Sequence, residues 1–115
     1  MQNLETVEAL EDVWAASEGT PQFVFKHSTV CPVSARARAE VEAFIEKCGE
    51  DEAPVHMIQV IEARPVSNAV AETLGVKHES PQLILVKGRE AVWHASHGRI
   101  KRDAIKEALS APEGS

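Results

Sequence analysis

The chain has 115 residues and a mass of 12.5 kDa, the size of one ordinary domain. Hydrophobic residues make up 43% and charged residues 26% of it, which is typical of a water-soluble globular protein. The net charge of −6 argues against nucleic-acid binding, since contacts to phosphates need a surplus of Lys and Arg. The longest clear apolar run, Leu83–Val86, is far shorter than the ~20 residues that cross a membrane.

The start of the chain is acidic and lacks the basic residues and apolar stretch of a secretory signal. We therefore expect a cytoplasmic protein, with one domain over residues 1–115 and a disordered tail over 110–115. Two cysteines are too few for a disulfide scaffold, so each has to be interpreted from its neighbours.

Helices are predicted where apolar residues recur every three or four positions, and strands where short β-branched or aromatic runs occur. In chain order the predicted elements are a helix from Leu4 that Gly19–Pro21 ends, a strand over 22–26, a helix over 32–48, a strand over 55–61, a helix over 65–74, strands over 82–87 and 90–96, and a helix over 100–109. Gly49 and Gly75 are predicted helix C-caps, and Gly88–Arg89 a type II′ hairpin turn.

This order of elements predicts how the strands pair. A strand–helix–strand unit requires a parallel pair with a right-handed crossover, whereas the hairpin at the end of the chain is antiparallel. The expected architecture is an α/β protein with a thioredoxin-like fold: a mixed four-stranded sheet with helices on both faces.

Cys31 is the candidate nucleophile. It follows a predicted strand, and Pro32 is favoured at the first position of a helix, which makes Cys31 the predicted N-cap. The free N–H groups and positive dipole end of a helix favour a thiolate over a thiol. The alternative interpretation is that Cys31 is a small, buried packing residue.

Residues close to Cys31 in sequence support the catalytic interpretation. Lys26, His27, Arg36 and Arg38 could add positive potential there. Ser34 completes a C-x-x-S spacing and occupies the place of a resolving thiol, but its hydroxyl cannot form a disulfide.

The second cysteine and the histidines are weaker candidates for functional residues than Cys31. Cys48 lies 17 positions after Cys31 on the same predicted helix, roughly 25 Å away, and its apolar-face position indicates a core residue. His94 and His97 are expected to point to opposite faces of a strand, so no metal site is predicted. His27 and His97 could border the site through loops at strand ends, or they could simply be solvated.

The segments Phe25–Thr29 and Cys31–Ser34 resemble the active-site segment of the monothiol bacilliredoxins. That family has a Thr-Cys-Pro-Ile-Ser pattern, from which this chain departs at Val30 and Val33. Further matches lie at Arg64–Asn68, Gly75–Val76, His78–Gln82 and Ser96–His97, so that the resemblance covers nearly the whole chain. The missing Thr hydroxyl at Val30 affects one active-site hydrogen bond and not the nucleophile.

The resemblance implies a monothiol thiol–disulfide oxidoreductase that removes bacillithiol from mixed disulfides on proteins. It implies a cis peptide bond at Ser80–Pro81, whose backbone pairs with a substrate chain beside Cys31. With Cys31 as nucleophile, the substrate-binding or supporting residues are Lys26, His27, Thr29, Pro32, Ser34, Ser80, Pro81 and His97.

No bound cofactor or metal is expected, and bacillithiol is the cosubstrate. The expected partners are bacillithiolated client proteins and a low-molecular-weight thiol or a reductase that regenerates Cys31, with neither nucleic acid nor membrane. Two alternatives stay open: a monothiol glutaredoxin-like protein, and a thioredoxin-like redox sensor or adaptor in which Cys31 is only modified. Pro32 stands where the glutaredoxins of that kind have glycine.

Overall fold

The computed structural model describes residues 1–48 and 53–110, with the side chain of Cys48 left out. Its elements are β1 (Gln2–Asn3), α1 (Val7–Ala16), β2 (Gln22–His27), α2 (Pro32–Cys48), β3 (Val55–Gln59), α3 (Arg64–Leu74), β4 (Gln82–Lys87), β5 (Glu90–Ser96), a 3₁₀ turn (His97–Arg99) and α4 (Arg102–Ser110). The predicted Gly49 cap, the Cys48 packing position and residues 111–115 of the predicted tail lie outside the described residues. Ser110, the first residue of that predicted tail, instead ends α4.

The strands form one mixed sheet in the order β1-β3-β2-β4-β5. β3 runs parallel to β1 and β2, while β4 is antiparallel to β2 and β5. The predicted mixed sheet is confirmed, but the predicted count of four strands is wrong because β1 was missed. β1 has only two residues, too few to show an alternating pattern, and it exists through its pairing with β3.

Helices cover both faces of this sheet, as predicted. On one face Phe23 and Phe25 pack with the apolar residues of α2 and α4, and the rings of Phe23 and Phe44 meet edge to face at 5.6 Å. On the other face Val24 and Ile84 pack with α1 and α3. Consecutive β2 residues therefore alternate between two separate cores, since successive side chains point to opposite faces of a strand.

Several predicted details differ from the structure, and the first is the start of the first helix, which lies at Val7 and not at Leu4. The second predicted strand ends at Gln59 and not at residue 61, because the Val60 N–H donates to the His27 carbonyl at 3.0 Å and the chain then turns. The last helix begins at Arg102, after a buried, extended Ile100. Gly88 and Arg89 both have positive φ, 57° and 66°, which is the pattern of a type I′ turn and not of type II′.

Arg89, which has an unusual positive φ, is held by hydrogen bonds and ion pairs to residues of α1 and the segment after it. Its N–H donates to Ser17 Oγ at 2.9 Å, and its guanidinium pairs with Glu11 and Glu18 at 2.9 and 3.0 Å. At the end of α3 the predicted Gly75 cap is confirmed, with a left-handed φ of 67°.

Candidate functional site

The ends of three strands meet at one edge of the sheet. Lys26 near the end of β2 pairs with Gln82 at the start of β4, which in turn pairs with Ser96 at the end of β5. The segment leading to Cys31, the turn before β4 and the 3₁₀ turn after β5 therefore emerge side by side. This edge brings together most of the residues that the sequence singled out.

Cys31 lies at this edge as the N-cap of α2. The helix begins at Pro32, and the Cys31 carbonyl accepts the Ala35 N–H at 3.2 Å. Both features confirm the predicted strand-to-helix position of the cysteine. The residue is half-buried, so its sulfur is not sealed in the core.

The immediate neighbours of Cys31 differ in exposure. Val30 is 76% and Val33 39% exposed, and Thr29 and Pro32 also face solvent. Ser34 is fully buried, and its hydroxyl oxygen accepts the Ser28 N–H at 3.2 Å. Ser34 thus supports the loop that carries Cys31, while the apolar residues beside the sulfur remain available to another molecule.

His27, the last residue of β2, lies beneath the first turn of α2. It is 4% exposed, and its ring centroid is 5.6 Å from that of Phe25. Burial and the nearby Arg38 lower the pKa of His27, and a hydrogen bond with the Ser34 backbone opposes them. Its ring is therefore neutral at pH 7, and Nδ1 has no hydrogen-bond partner among the described residues.

Lys26 points to the opposite face of the sheet from His27. Its side chain is fully buried, with Nζ 3.0 Å from Nδ1 of His78, and Ser67 Oγ of α3 lies 3.3 Å from the same nitrogen. Burial lowers the pKa of Lys26 to about 8. The sequence suggested only that Lys26 adds positive potential near Cys31; the structure gives its amine a defined partner in the loop before β4.

The Ser80–Pro81 peptide is cis, as predicted. The Pro81 carbonyl accepts the His97 N–H at 3.0 Å, which ties this loop to the 3₁₀ turn. Ser80 Oγ and Gln82 Oε1 are buried without a hydrogen-bond partner among the described residues. The loop thus carries unpartnered polar atoms close to the edge where Cys31 lies.

A cavity of about 440 Å³ opens beside this loop, lined by Glu79, His94, Ser96, His97 and Arg99, with Ala95 and Gly98. A hydrogen bond from Ser96, with His97, Lys77 and His94 nearby, lowers the pKa of Glu79. His94 and His97 were expected to point apart, but both line this cavity. The expectation placed both residues on one strand, whereas β5 ends at Ser96 and His97 follows it with a positive φ of 53°.

Sequence reasoning missed His78, Ser67 and Glu79 as members of the site. All three lie in segments that carry the family resemblance, which was the available signal. Across residues 1–48 and 53–110, no group of three or more His, Cys, Asp or Glu side chains is arranged to hold a metal ion. No described helix is long and apolar enough to cross a membrane.

A mixed sheet of this topology, with a cysteine at a helix N-cap beside a cis-proline loop, defines a thioredoxin-like protein of thiol redox chemistry. Known structures agree. One described as having a thioredoxin fold matches with a TM-score of 0.82 and 31% identity, over 93% of this chain and 91% of that chain. Thioredoxin from Fasciola hepatica matches with a TM-score of 0.75 and 17% identity, over 95% and 96%.

A mutant thioredoxin from Halobacterium salinarum matches with a TM-score of 0.71 and 22% identity, over 94% of this chain and 86% of that chain. The family described as monothiol bacilliredoxin BrxC matches residues 2–105. The chain therefore belongs to the monothiol bacilliredoxin family, as the resemblance in its sequence indicated.

Proposed function

We propose that the protein removes bacillithiol from mixed disulfides on client proteins, with Cys31 as the nucleophile. The observation that carries the proposal is the position of Cys31 as a half-exposed N-cap in a chain of the monothiol bacilliredoxin family. A helix N-terminus stabilises the thiolate, and the thiolate is the attacking form in disulfide exchange.

The exchange balances without a further oxidant or reductant. The Cys31 thiolate attacks the bacillithiol sulfur, a disulfide forms between these two atoms, and the client leaves as a thiolate that takes up a proton. The client is reduced, and Cys31 becomes a mixed disulfide. A second low-molecular-weight thiol or a partner reductase then attacks that disulfide and restores Cys31. Because Cys31 must start as a free thiol, the reaction suits a reducing compartment such as the cytoplasm.

The mixed disulfide on Cys31 has to be reduced by a thiol of another molecule, because neither Ser34 nor Cys48 can reduce it within the chain. Ser34 has a hydroxyl where a dithiol enzyme has its second thiol. Cys48 ends α2, a helix of 17 residues, which separates the cysteines by roughly 25 Å at ~1.5 Å per residue. A disulfide needs Cα atoms within about 7 Å, so Cys48 does not resolve Cys31 within one chain.

Two surfaces at the sheet edge that carries Cys31 suit the two parts of a mixed disulfide, the client protein and the small thiol. The exposed apolar side chains of Val30 and Val33, with Ile61 in the turn after β3, offer contact to a client protein. The cavity lined by Glu79, His94, His97 and Arg99 offers both hydrogen-bond donors and a carboxylate acceptor to a polar small thiol. The Ser80 backbone, just before the cis peptide bond, is the part of this loop that would pair with an extended client segment, since the Pro81 carbonyl already accepts the His97 N–H.

The test is reduction of a client protein that carries bacillithiol on one cysteine, followed by mass spectrometry. The wild type should release the client thiol and acquire one bacillithiol adduct on Cys31. Cys31→Ala should lose the activity, and the matched control Cys48→Ser should keep it. Activity that survives in Cys31→Ala would overturn the mechanism.

The identity of the small thiol is tested by exposing the protein to bacillithiol disulfide and to glutathione disulfide separately. We expect faster formation of the bacillithiol adduct. Equal labelling of Cys31 by both disulfides would leave a monothiol oxidoreductase without preference for bacillithiol. A Cys31 adduct that forms without any turnover of the client would instead support the redox-sensor alternative.

A further inference from the structure

Lys26 is a buried amine without an acidic partner. Its residue is 0% exposed, and no ion pair among residues 1–48 and 53–110 involves it. Burying an ammonium group in this way is costly, since its charge loses hydration that no carboxylate replaces. A purely structural position on β2 would be filled at lower cost by an apolar side chain, as Val24 fills the same face two residues earlier. The burial of Lys26 therefore indicates a role other than core packing.

Its hydrogen bond joins three elements next to the site. Nζ on β2 meets His78 Nδ1 in the loop of residues 75–81, and Ser67 Oγ of α3 meets the same nitrogen. Lys26 is also the backbone partner of Gln82, directly after Pro81. The side chain thus holds the loop that presents Ser80 and Pro81 from beneath, while the backbone of the same residue holds its far end.

We infer that Lys26 and His78 are a pair of positioning residues that set the Ser80–Pro81 backbone for binding of the client chain. The inference rests on the proposed function and deepens it. Neither side chain takes part in the exchange at Cys31. Their hydrogen bond fixes the loop in the arrangement that pairs with an extended client segment, so its loss should weaken client binding more than it slows the chemical step.

The hydrogen bond of the pair depends on the protonation state of His78. The Lys26 ammonium donates, so Nδ1 of His78 must be unprotonated to accept. The charged groups near His78 are Lys26 from β2, Arg64 from α3 and Glu79 from its own loop; burial and the two cations lower its pKa, and Glu79 opposes them. Below that pKa two cations would face each other, and the bond would break. Client binding should therefore weaken in acid.

The decisive variants replace His78. The amide oxygen of Asn lies where Nδ1 lies in His and accepts a hydrogen bond at every pH, whereas Leu fills space without accepting one. With a bacillithiolated client, His78→Leu should raise KM about fivefold and change kcat less than twofold, as expected for one lost hydrogen bond. His78→Asn should restore the neutral-pH KM and remove the rise in KM that the wild type shows in acid.

Lys26→Met should raise KM as His78→Leu does, and the double variant should add little to either. Lys106→Met on α4, an exposed lysine away from this loop, is the matched control and should leave KM unchanged. Nitrogen NMR of the wild type gives a readout without substrate: at pH 7 His78 should carry its proton on Nε2 and accept at Nδ1.

The outcomes separate this inference from the proposed function. A wild type without activity on the client disulfide refutes the proposed function, whatever the NMR of His78 shows. If the wild type is active but His78→Leu and Lys26→Met have the same KM and pH profile as the wild type, the positioning role is refuted and the proposed function stands. Equal losses in His78→Asn and His78→Leu would also refute it, since the hydrogen-bond acceptor would then be irrelevant.

Discussion

Serine and cysteine differ only in the oxygen or sulfur atom bonded to Cβ. With serine at position 34 the site has the single thiol of Cys31, and with cysteine there it would have two. Residues 31 and 34 lie about one helical turn apart, where Cα atoms are ~5 Å apart given a rise of ~1.5 Å per residue and a helix radius of ~2.3 Å. Ser34→Cys should place a thiol within reach of Cys31, because a disulfide tolerates Cα separations of about 4.4–6.8 Å. The variant should form an internal disulfide and expel the small thiol from Cys31, since linked groups meet at high effective concentration.

Mass spectrometry after exposure to bacillithiol disulfide checks this: the variant should lose a pair of hydrogens, and the wild type should gain one adduct. The variant also loses the good acceptor that Ser34 Oγ provides for the Ser28 N–H, at a cost of about 1 kcal/mol in free energy of unfolding. A stable adduct on Cys31 of the variant would show that position 34 is not the resolving position.

The burial of Lys26 should appear in the pH dependence of stability. Its pKa is about 8 in the folded protein against 10.5 for an exposed lysine, so the unfolded chain binds more protons between these values. The stability of the wild type should therefore rise with pH through this window. The free energy of unfolding of Lys26→Met minus that of the wild type should fall by about 2–3 kcal/mol from pH 7 to pH 10.

Urea unfolding at several pH values measures this difference, and titrating groups that do not interact with Lys26 cancel in it. Lys106→Met is again the control, because an exposed lysine should give a difference independent of pH. A constant difference for Lys26→Met would mean that water reaches the amine in solution.

At the scale of elements, the end of α3 decides where the loop before β4 begins. Gly75 has a φ of 67° and its N–H donates to the Ala71 carbonyl at 2.9 Å. Nothing lies within 4 Å of a Cβ built there, so substitution costs only backbone strain. Gly75→Ala should lower the free energy of unfolding by about 1–2 kcal/mol, and Gly75→Asn by less, since Asn tolerates this conformation.

Thermal or urea unfolding gives the stability change, and Gly19→Ala is the matched control, a glycine with an equally open Cβ position and no positive φ. Equal losses at both glycines would contradict the explanation from backbone conformation. Since His78 lies three residues after Gly75, hydrogen exchange of the loop should also rise in Gly75→Ala.

At the scale of the whole molecule, one sheet separates two apolar cores. Ile84 and Leu85 are adjacent in β4, both fully buried, and point to opposite faces. Ile84→Ala and Leu85→Ala should each lower the free energy of unfolding by about 2–5 kcal/mol, because both leave a cavity in packed surroundings. Val92→Ala on β5, where the side chain is 42% exposed, should change it by less than about 0.5 kcal/mol.

The two tryptophans report on the two faces separately. Trp14 is buried with the α1 and α3 core, and Trp93 packs against the α2 and α4 core. With one of them replaced by Phe in turn, fluorescence should show coincident urea transitions in each core variant, as two-state unfolding requires. Separate transitions would mean that the sheet does not couple its two faces.

The amino-acid sequence by itself predicted most of the elements and singled out the candidate nucleophile. Apolar periodicity placed the helices and most strands, because burial on one face of an element depends on local spacing. Pro32 after a strand identified Cys31 as an N-cap, and the family resemblance identified the cis peptide before Gln82. These features depend on residues close together in the chain, so a pattern is enough to reveal them.

The tertiary structure alone decided which distant residues meet. β1 exists only through pairing with β3, more than fifty positions away, and the Lys26–His78 bond spans 52 positions. The left-handed Arg89 depends on Glu11, Ser17 and Glu18 from α1 and its end. Each of these contacts costs conformational freedom that only the assembled sheet and helices offset, so no local pattern encodes them.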